Sequence, residues 1–340
     1  MITNKLINRY DRRGKMKKQN QAITVMLSTV IAIFLTVGTS NLTAASVAII
    51  FTVCIPFAVI GMISNERQSM IAFIVSALAI FGLTDVKYAV EVVMTFVIPS
   101  LILGRLVDSV SEKDDDDRQD PLYMGIIIFI LSTIAYIIVA KYMMNIDVLK
   151  QLTDTFSNMA KTRLETMPKE QLKLIGDATP EELTNMFRNM IVSLLFVQSC
   201  MCVFFTYFLG GSIAKKLTEK NLNRVRMSEL YLPGNAVVIT FVIYLGVYGL
   251  SYMDTSLNVI AIMGNLQIIF NLMFMVQGIS VCIYIIKNRI VRGRGGIVFP
   301  VILIVTLGVM GGGTLIALLG MLDCIMDFRK LKINKMKKSM

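Results

Sequence analysis

Long apolar runs recur along the chain from residue 22 almost to its C-terminal end. A helix needs about 20 residues to cross the roughly 30 Å hydrocarbon core of a bilayer. Eight runs approach or exceed that length: residues 22–38, 44–63, 70–83, 88–107, 122–144, 190–210, 236–252 and 257–286. The runs are continuously apolar instead of alternating with polar positions, which favours helices over a β-barrel. We therefore predict an all-α fold, a polytopic transmembrane helix bundle of about eight spans.

A further apolar run, residues 297–325, is interrupted by Gly311, Gly312 and Gly313. Glycine adopts positive φ freely and costs about 1 kcal/mol in a helix interior, so three in succession predict a turn. Each arm then holds about a dozen residues, roughly 18 Å of helix, which predicts a C-terminal re-entrant or tilted helical hairpin. The alternative is one long span in which the glycines form a packing patch.

The basic residues assign a side of the membrane to each polar segment. Lys and Arg total 34 against 23 Asp and Glu, a net charge of +11. With the N-terminus in the cytosol, the cytosolic segments before the final tail hold twenty basic residues against eight outside, as the positive-inside rule requires. The hairpin returns the basic C-terminal tail to the cytosol, so we predict that both termini are cytosolic. Basic residues that follow topology in this way give no indication of nucleic-acid binding.

The polar segments also set the domain organisation. We interpret the basic leader as a retained tail and not a cleaved signal peptide, because two apolar runs follow in close succession. The predicted parts are a basic cytosolic tail (1–21), transmembrane helices 1–5 (22–144) with an acidic cytosolic loop (108–120), an extracytoplasmic amphipathic helical cap (145–189), transmembrane helices 6–8 with the hairpin (190–328), and a basic cytosolic tail (329–340).

The predicted cap contains two helical segments. In the second, Thr179 is a good N-cap, Pro180 fits the first helical position, and Glu182 completes a capping box that leads into the sixth span. In the first segment, apolar residues recur at helical spacing: Leu149, Leu152, Phe156 and Met159.

The available side chains exclude several kinds of catalytic site. Histidine is absent, which removes histidine acid/base catalysis, serine–histidine triads and most zinc sites. The five cysteines include no Cys-x-x-Cys pair, and no phosphate-binding loop is visible. The aspartate run at 114–117 lacks the glycine and ligand spacing of a cation loop, which indicates a solvated loop. We expect no enzyme activity, no cofactor and no metal, with carboxylate chemistry at Glu91 as the alternative.

Amide side chains interrupt the apolar run at 257–286 and are candidate binding groups, because polar side chains at membrane depth are costly. At 100° per residue, Gln267 and Asn271 lie on one face and Asn258 and Asn265 on the opposite one, with Gln277 between them. We expect such a helix to be central in the bundle. The amides either line a solute cavity, with Gln267 and Asn271 as the candidates, or only tie helices together.

Glu91 is the remaining candidate for solute binding. It follows Asp85 and Lys87 near the outer end of the fourth run. Lys87 and Glu91 are i,i+4 neighbours, so the alternative interpretation is a surface ion pair.

Four short stretches resemble the YybS-like family of uncharacterised bacterial membrane proteins. They are FTYFLGGSIAKK at 205–216, Leu232-Pro233, Gln277-Gly278, and LGMLDCIMDFRK at 319–330. This resemblance covers most of the chain and implies a bacterial plasma-membrane location without implying an activity. The N-terminal half, with Pro56 and the stretch PSLILG at 99–104, is more distantly similar to the substrate-binding membrane subunits of energy-coupling factor vitamin transporters.

We expect a plasma-membrane protein that binds a small solute, or helps to transport it, through a polar intramembrane cavity. No nucleotide-binding module is visible, so energised transport requires a partner ATPase, for which the basic cytosolic loops offer a docking surface. The alternative is a non-transporting membrane scaffold in cell-envelope or signalling assemblies, which binds envelope proteins instead of a small-molecule ligand. The lipid bilayer is a partner in both cases.

Overall fold

The computed structural model describes residues 21–40, 42, 48–111, 118–166, 179–218, 222, 224–232, 235–253, 257–287 and 313–329. Within these ranges every regular element is helical. The main helices are α1 (Gln21–Gly38), α2 (Ile50–Ile63), α3 (Glu66–Leu83), α4 (Val86–Val110), α5 (Asp120–Met143), α6 (Val148–Thr166), α7 (Pro180–Thr218), α8 (Ala236–Leu250), α9 (Val259–Ile285) and α10 (Gly313–Met326).

Six of the described helices are long and apolar enough to cross a membrane, namely α1, α3, α4, α5, α7 and α9. The predicted all-α polytopic bundle is therefore confirmed. Helices α2, α8 and α10 are apolar but shorter. Helix α3 is longer than the apolar run at 70–83, because a polar first turn beginning at Glu66 precedes that run. The Gln68 side chain accepts a hydrogen bond from the Asn65 backbone N–H at 3.1 Å, which fixes that start.

Some predicted features fall outside the described residues. Gly311 and Gly312 are among them, whereas Gly313 is the first residue of α10. The aspartate run at 114–117 and most of both basic tails also lie outside. The glycine turn and the hairpin therefore stay predictions.

The chain forms two compact units. Unit 1 comprises residues 1–149 and 198–224, and unit 2 comprises residues 150–197 and 225–340. Helix α7 contributes its first half to unit 2 and its second half to unit 1.

The core of unit 1 is a close crossing of α2 with the second half of α4. A Cβ atom on Gly61 would collide with the Leu101 carbonyl oxygen, and one on Gly104 would collide with the Ala58 carbonyl oxygen. Small residues at such a crossing let two helix backbones touch, which increases van der Waals contact inside a membrane. The crossing leaves most of α2 buried, including the large side chain of Phe57.

Side chains from elsewhere in unit 1 satisfy the carbonyl groups at the end of α2. The Gln21 side chain donates from Nε2 to the Ile63 oxygen at 2.7 Å. Arg105 donates from Nη1 to the Ser64 oxygen at 2.6 Å, and its guanidinium also pairs with Asp108 at 3.3 Å. The last carbonyl groups of a helix lack partners within the helix, so these bonds replace water at the helix end.

A π-helical turn at Thr206–Gly210 interrupts α7 within unit 1. Such turns shift the backbone hydrogen-bond pattern. Arg224 donates from Nη1 to the carbonyl oxygens of Tyr207 at 2.9 Å and Phe208 at 3.1 Å. A Cβ atom on Gly211 would overlap the Arg224 guanidinium group. The stretch at 205–216, which is one of those that resemble the YybS-like family, thus contacts the Arg224 side chain and accepts its hydrogen bonds.

The core of unit 2 is the crossing of α9 with α10, the most extensive helix pair in the described structure. A Cβ atom on Gly278 would collide with the Ile316 carbonyl oxygen, and one on Gly320 would collide with the Phe274 carbonyl oxygen. The two glycines therefore bring the α9 and α10 backbones into direct contact.

Helices α6 and α7 also pack together in unit 2. The rings of Phe156 and Phe187 stack with centroids 4.2 Å apart and an interplanar angle of 5°. Helix α7 begins with a reciprocal capping box. The Thr179 N–H donates to the Glu182 carboxylate at 3.0 Å, and the Glu182 N–H donates to the Thr179 hydroxyl at 3.2 Å. Pro180 is the first residue of that helix.

Replacing Gly278 or Gly320 with alanine should destabilise the protein, because the added methyl group meets a backbone carbonyl that cannot rotate away. We expect a loss of about 1–3 kcal/mol, as is usual for overpacked cores. The matched control is Gly264→Ala on the same helix α9, where a Cβ atom meets nothing within 4 Å. This control should be neutral or slightly stabilising. Thermal unfolding of the purified variants measures the difference, and equal effects for Gly278 and Gly264 would show that the close crossing is absent.

Candidate functional site

The amide side chains of α9 are of two kinds, and the first kind is buried and fully engaged within unit 2. Asn265 accepts a hydrogen bond from the Ser193 backbone N–H at 2.9 Å. Its amide nitrogen donates to the carbonyl oxygens of Asn189 at 2.5 Å and Ala261 at 2.7 Å. Asn265 therefore ties α9 to the part of α7 that belongs to unit 2, which is a structural role.

Gln277 is the second engaged amide and is 2% exposed. Its Oε1 atom accepts a hydrogen bond from the Leu232 N–H at 2.8 Å, and its Nε2 atom donates to the Asp323 carboxylate at 2.7 Å. One side chain thus links the segment before α8 to α10.

Asp323 and Arg329 form a buried ion pair beside Gln277, and each residue is 3% exposed. The guanidinium donates to Oδ2 of Asp323 from Nη2 at 2.8 Å and from Nε at 3.1 Å. Its Nη1 atom donates to the Ser228 carbonyl oxygen at 3.0 Å and to the Ser280 hydroxyl at 2.5 Å. We call Gln277, Ser280, Asp323 and Arg329 the Asp323 network.

The Asp323 network joins four segments of unit 2: residues 227–232, α9, α10 and the residues after α10. The Ser280 hydroxyl also lies within donating distance of the backbone carbonyl oxygens of Met227 at 2.7 Å and Leu230 at 2.8 Å, which share its one proton. A lone charge is very costly to bury, whereas a paired and hydrogen-bonded charge is tolerated. Each charged residue of the network therefore requires the other. Within the described part of the chain, the Oδ1 atom of Asp323 accepts no hydrogen bond.

The second kind of amide on α9 is exposed and unengaged. Gln267 and Asn271 are exposed, and neither makes a hydrogen bond within the described residues. Gly264, also exposed, lies on the same side of the helix, since residues at i, i+3 and i+7 share a face. We call Gly264, Gln267 and Asn271 the amide face. It lies in the first half of a helix of 27 residues, away from both helix ends.

Glu91 belongs to unit 1 and lies on α4, where its side chain is half-buried. It is close enough to the hydroxyl groups of Tyr88 and Tyr136 for electrostatic interaction. No ion pair between Lys87 and Glu91 is present in the described structure, and the Lys87 backbone N–H instead donates to the Asp85 carboxylate at 2.8 Å. Asp85 therefore caps the start of α4. The alternative interpretation, a surface ion pair, is therefore not seen in the described structure, which has a helix cap at Asp85 and a half-buried Glu91.

The sequence-predicted candidates therefore fall in two places. Gln267 and Asn271 lie together on the amide face of unit 2, and Glu91 lies in unit 1. Within the described ranges, no group of three carboxylate or thiol side chains is arranged to hold a metal ion.

The Asp323 network was not predicted from the sequence, although a signal for it exists. Asp323 lies inside the apolar run at 297–325 and Arg329 lies just beyond it. An ionisable side chain in such a run normally pairs with another polar group inside the protein. The presence of Asp323 therefore predicts a buried partner, although not which one.

The fold and the buried polar networks define an integral, multi-spanning α-helical membrane protein. Residues 22–324 match the profile of the family described as "Predicted membrane protein (DUF2232)". The chain belongs to this family. No curated protein and no solved structure matches the chain.

Removing one partner of the buried ion pair should be strongly destabilising. Arg329→Met leaves the Asp323 carboxylate buried with Gln277 as its only described partner, and we expect a loss of about 3–5 kcal/mol. The double variant Asp323→Leu/Arg329→Met removes both charges and should be more stable than either single variant, because no lone charge remains. Thermal unfolding in one detergent gives the comparison. A double variant as unstable as the sum of the two single variants would contradict the pairing.

Proposed function

We propose that this chain is a multi-pass plasma-membrane protein that binds a small polar solute at the amide face of α9 and takes part in its transport. The observation that carries the proposal is the contrast between the two kinds of amide on one helix. Asn265 and Gln277 use their hydrogen-bonding groups within unit 2. Gln267 and Asn271 leave theirs unused in a membrane-spanning segment.

Hydrocarbon cannot hydrogen-bond an exposed amide, and transfer of such a group from water to an apolar medium costs several kcal/mol. The amide face therefore requires a polar neighbour. A wet cavity that admits a solute meets this requirement. Gly264 favours the same interpretation, because the space beside it is open and leaves room for a bound molecule.

The chemistry of the face limits the class of solute. A carboxamide carries no charge and both donates and accepts hydrogen bonds. Gln267 and Asn271 together therefore suit a solute with several hydrogen-bonding groups, such as a hydroxyl-rich or amide-containing metabolite. Glu91 in unit 1 is a separate candidate for solute binding, because a half-buried carboxylate in a membrane-spanning helix is costly and is therefore a functional candidate.

Transport also requires a source of energy. The chain shows no nucleotide-binding motif, so we propose that a partner ATPase drives transport and docks on the basic cytosolic loops. The distant similarity to the substrate-binding membrane subunits of energy-coupling factor transporters supports this arrangement. The excess of basic residues supports a bacterial plasma-membrane orientation with both termini in the cytosol.

Replacing Gln267 and Asn271 together with leucine should abolish solute binding and leave the fold intact, since both side chains are exposed and unengaged. The contrasting variant, Asn265→Leu, exchanges the same kind of side chain on the same helix but removes three hydrogen bonds. Intramembrane hydrogen bonds average about 0.6 kcal/mol each, so this variant should lose roughly 2 kcal/mol of stability.

Mass spectrometry of small molecules that copurify with each variant, together with thermal unfolding, gives the test. The native protein should carry an enriched metabolite that the double-leucine variant lacks. Retention of the metabolite by the double variant would remove the amide face as the site. A native protein with no metabolite enriched over an unrelated membrane protein, purified in parallel and crosslinked in cells to a stable protein partner, would favour the scaffold function.

A further inference from the structure

Helix α6 presents three distinct surfaces along its length. Its packed surface contains Thr153 and Ala160, which are buried, together with Phe156. At 100° per residue, one flank of this packed surface is apolar and the other is charged. The apolar flank carries Leu152 and Met159, which are 37% and 63% exposed. The charged flank carries Lys150, Asp154, Lys161 and Glu165, all exposed.

The stacked rings of Phe156 and Phe187 fix where α6 lies along α7. The apolar stretch of α7 begins at Met190, three residues beyond Phe187. Three residues correspond to about 4.5 Å along a helix axis. The polar headgroup layer on each side of a bilayer is roughly 5–8 Å thick. The ring stack therefore places the middle of α6, at Phe156, near the depth of the lipid headgroups and next to the point where the apolar stretch of α7 begins.

The side chains of α6 suit this depth. A helix with an apolar flank and a charged flank lies in the plane of a membrane surface, with its apolar side chains about 5–10 Å into the boundary between headgroups and acyl chains. Arg163 lies one turn beyond Met159 on the apolar flank, and an arginine side chain at this depth reaches outward to the phosphate groups. The flank thus combines apolar insertion with a contact for lipid phosphate.

We propose that α6 is a lipid-binding helix that lies on the membrane surface, with Leu152 and Met159 inserted among the lipid chains and its charged flank in water. The partner is the lipid surface itself. This contact holds α6 against the bilayer. It surrounds the exposed apolar side chains of the flank with lipid instead of water. The proposal is independent of the proposed solute binding, because α6 shares no residue with the amide face.

Spin labels on single cysteines test the proposal in vesicles of phosphatidylethanolamine and phosphatidylglycerol. Two labels replace Leu152 and Met159 on the apolar flank, and two matched controls replace Asp154 and Lys161 on the charged flank of the same helix. All four positions are exposed, so the labels should not disturb the fold. The native chain is the blank for labelling, since its five cysteines are buried or half-buried.

The measurement is the collision rate of each label with oxygen, which concentrates in lipid, relative to a water-soluble nickel chelate. We expect an oxygen-to-nickel ratio several-fold higher at positions 152 and 159 than at 154 and 161. Equal ratios on both flanks would overturn the proposal, whether all four labels report water or all four report lipid. Labels at 152 and 159 that are immobilised and reached by neither reagent would also overturn it, because they would show a protein partner on this flank.

Discussion

Polar groups inside a bilayer must find partners in the protein, because hydrocarbon offers none. This constraint explains why the buried polar side chains of unit 2 form connected networks. Asp323 and Arg329 neutralise each other's charge, and Gln277 and Ser280 extend the network to backbone groups on neighbouring segments. The same constraint makes an unengaged amide on a membrane-spanning helix informative. Polar groups at membrane depth need polar partners. The Asp323 network supplies them within the protein, and the proposed site on α9 supplies them as water or a solute.

The two units are stabilised by the same two kinds of contact. In each unit a pair of glycines on facing helices lets two backbones touch, which secures close packing where hydrophobic burial gives little advantage. In each unit an arginine also donates to a backbone carbonyl group outside the ten main helices, Arg105 to that of Ser64 and Arg329 to that of Ser228. Both arginines also pair with an aspartate close by in the sequence. A planar guanidinium with several donors suits this double task.

Hydropathy and spacing predicted the part of the structure that depends on local sequence. The all-α fold follows from the length of the apolar runs, and the start of α7 shows the capping chemistry that Thr179 and Glu182 encode. The opposed placement of Asn265 and Gln267 on α9 follows from helical geometry alone. Which of the two is buried does not, because that depends on the helix packed alongside.

Hydropathy and helical spacing did not predict which distant segments pack together. Nothing local to Gly278 indicates that it meets α10, since any helix with a small residue offers a similar surface. The Asp323 network depends on side chains from three segments and backbone groups from a fourth, which only the folded chain brings together. The length of α8 also departs from simple hydropathy. This helix ends before the usual spanning length, although its composition is apolar.

The central claim is that the amide face of α9 borders water at membrane depth. The most direct measurement is the reaction of single cysteines with a small hydrophilic thiol reagent in reconstituted membranes. The positions are 264, 267 and 271 on the amide face, with controls at Val238 and Val242 on α8, which are apolar and 63% and 60% exposed. The account predicts fast reaction at the three positions on α9 and none at the two on α8. Positions on α9 as unreactive as those on α8 would contradict it.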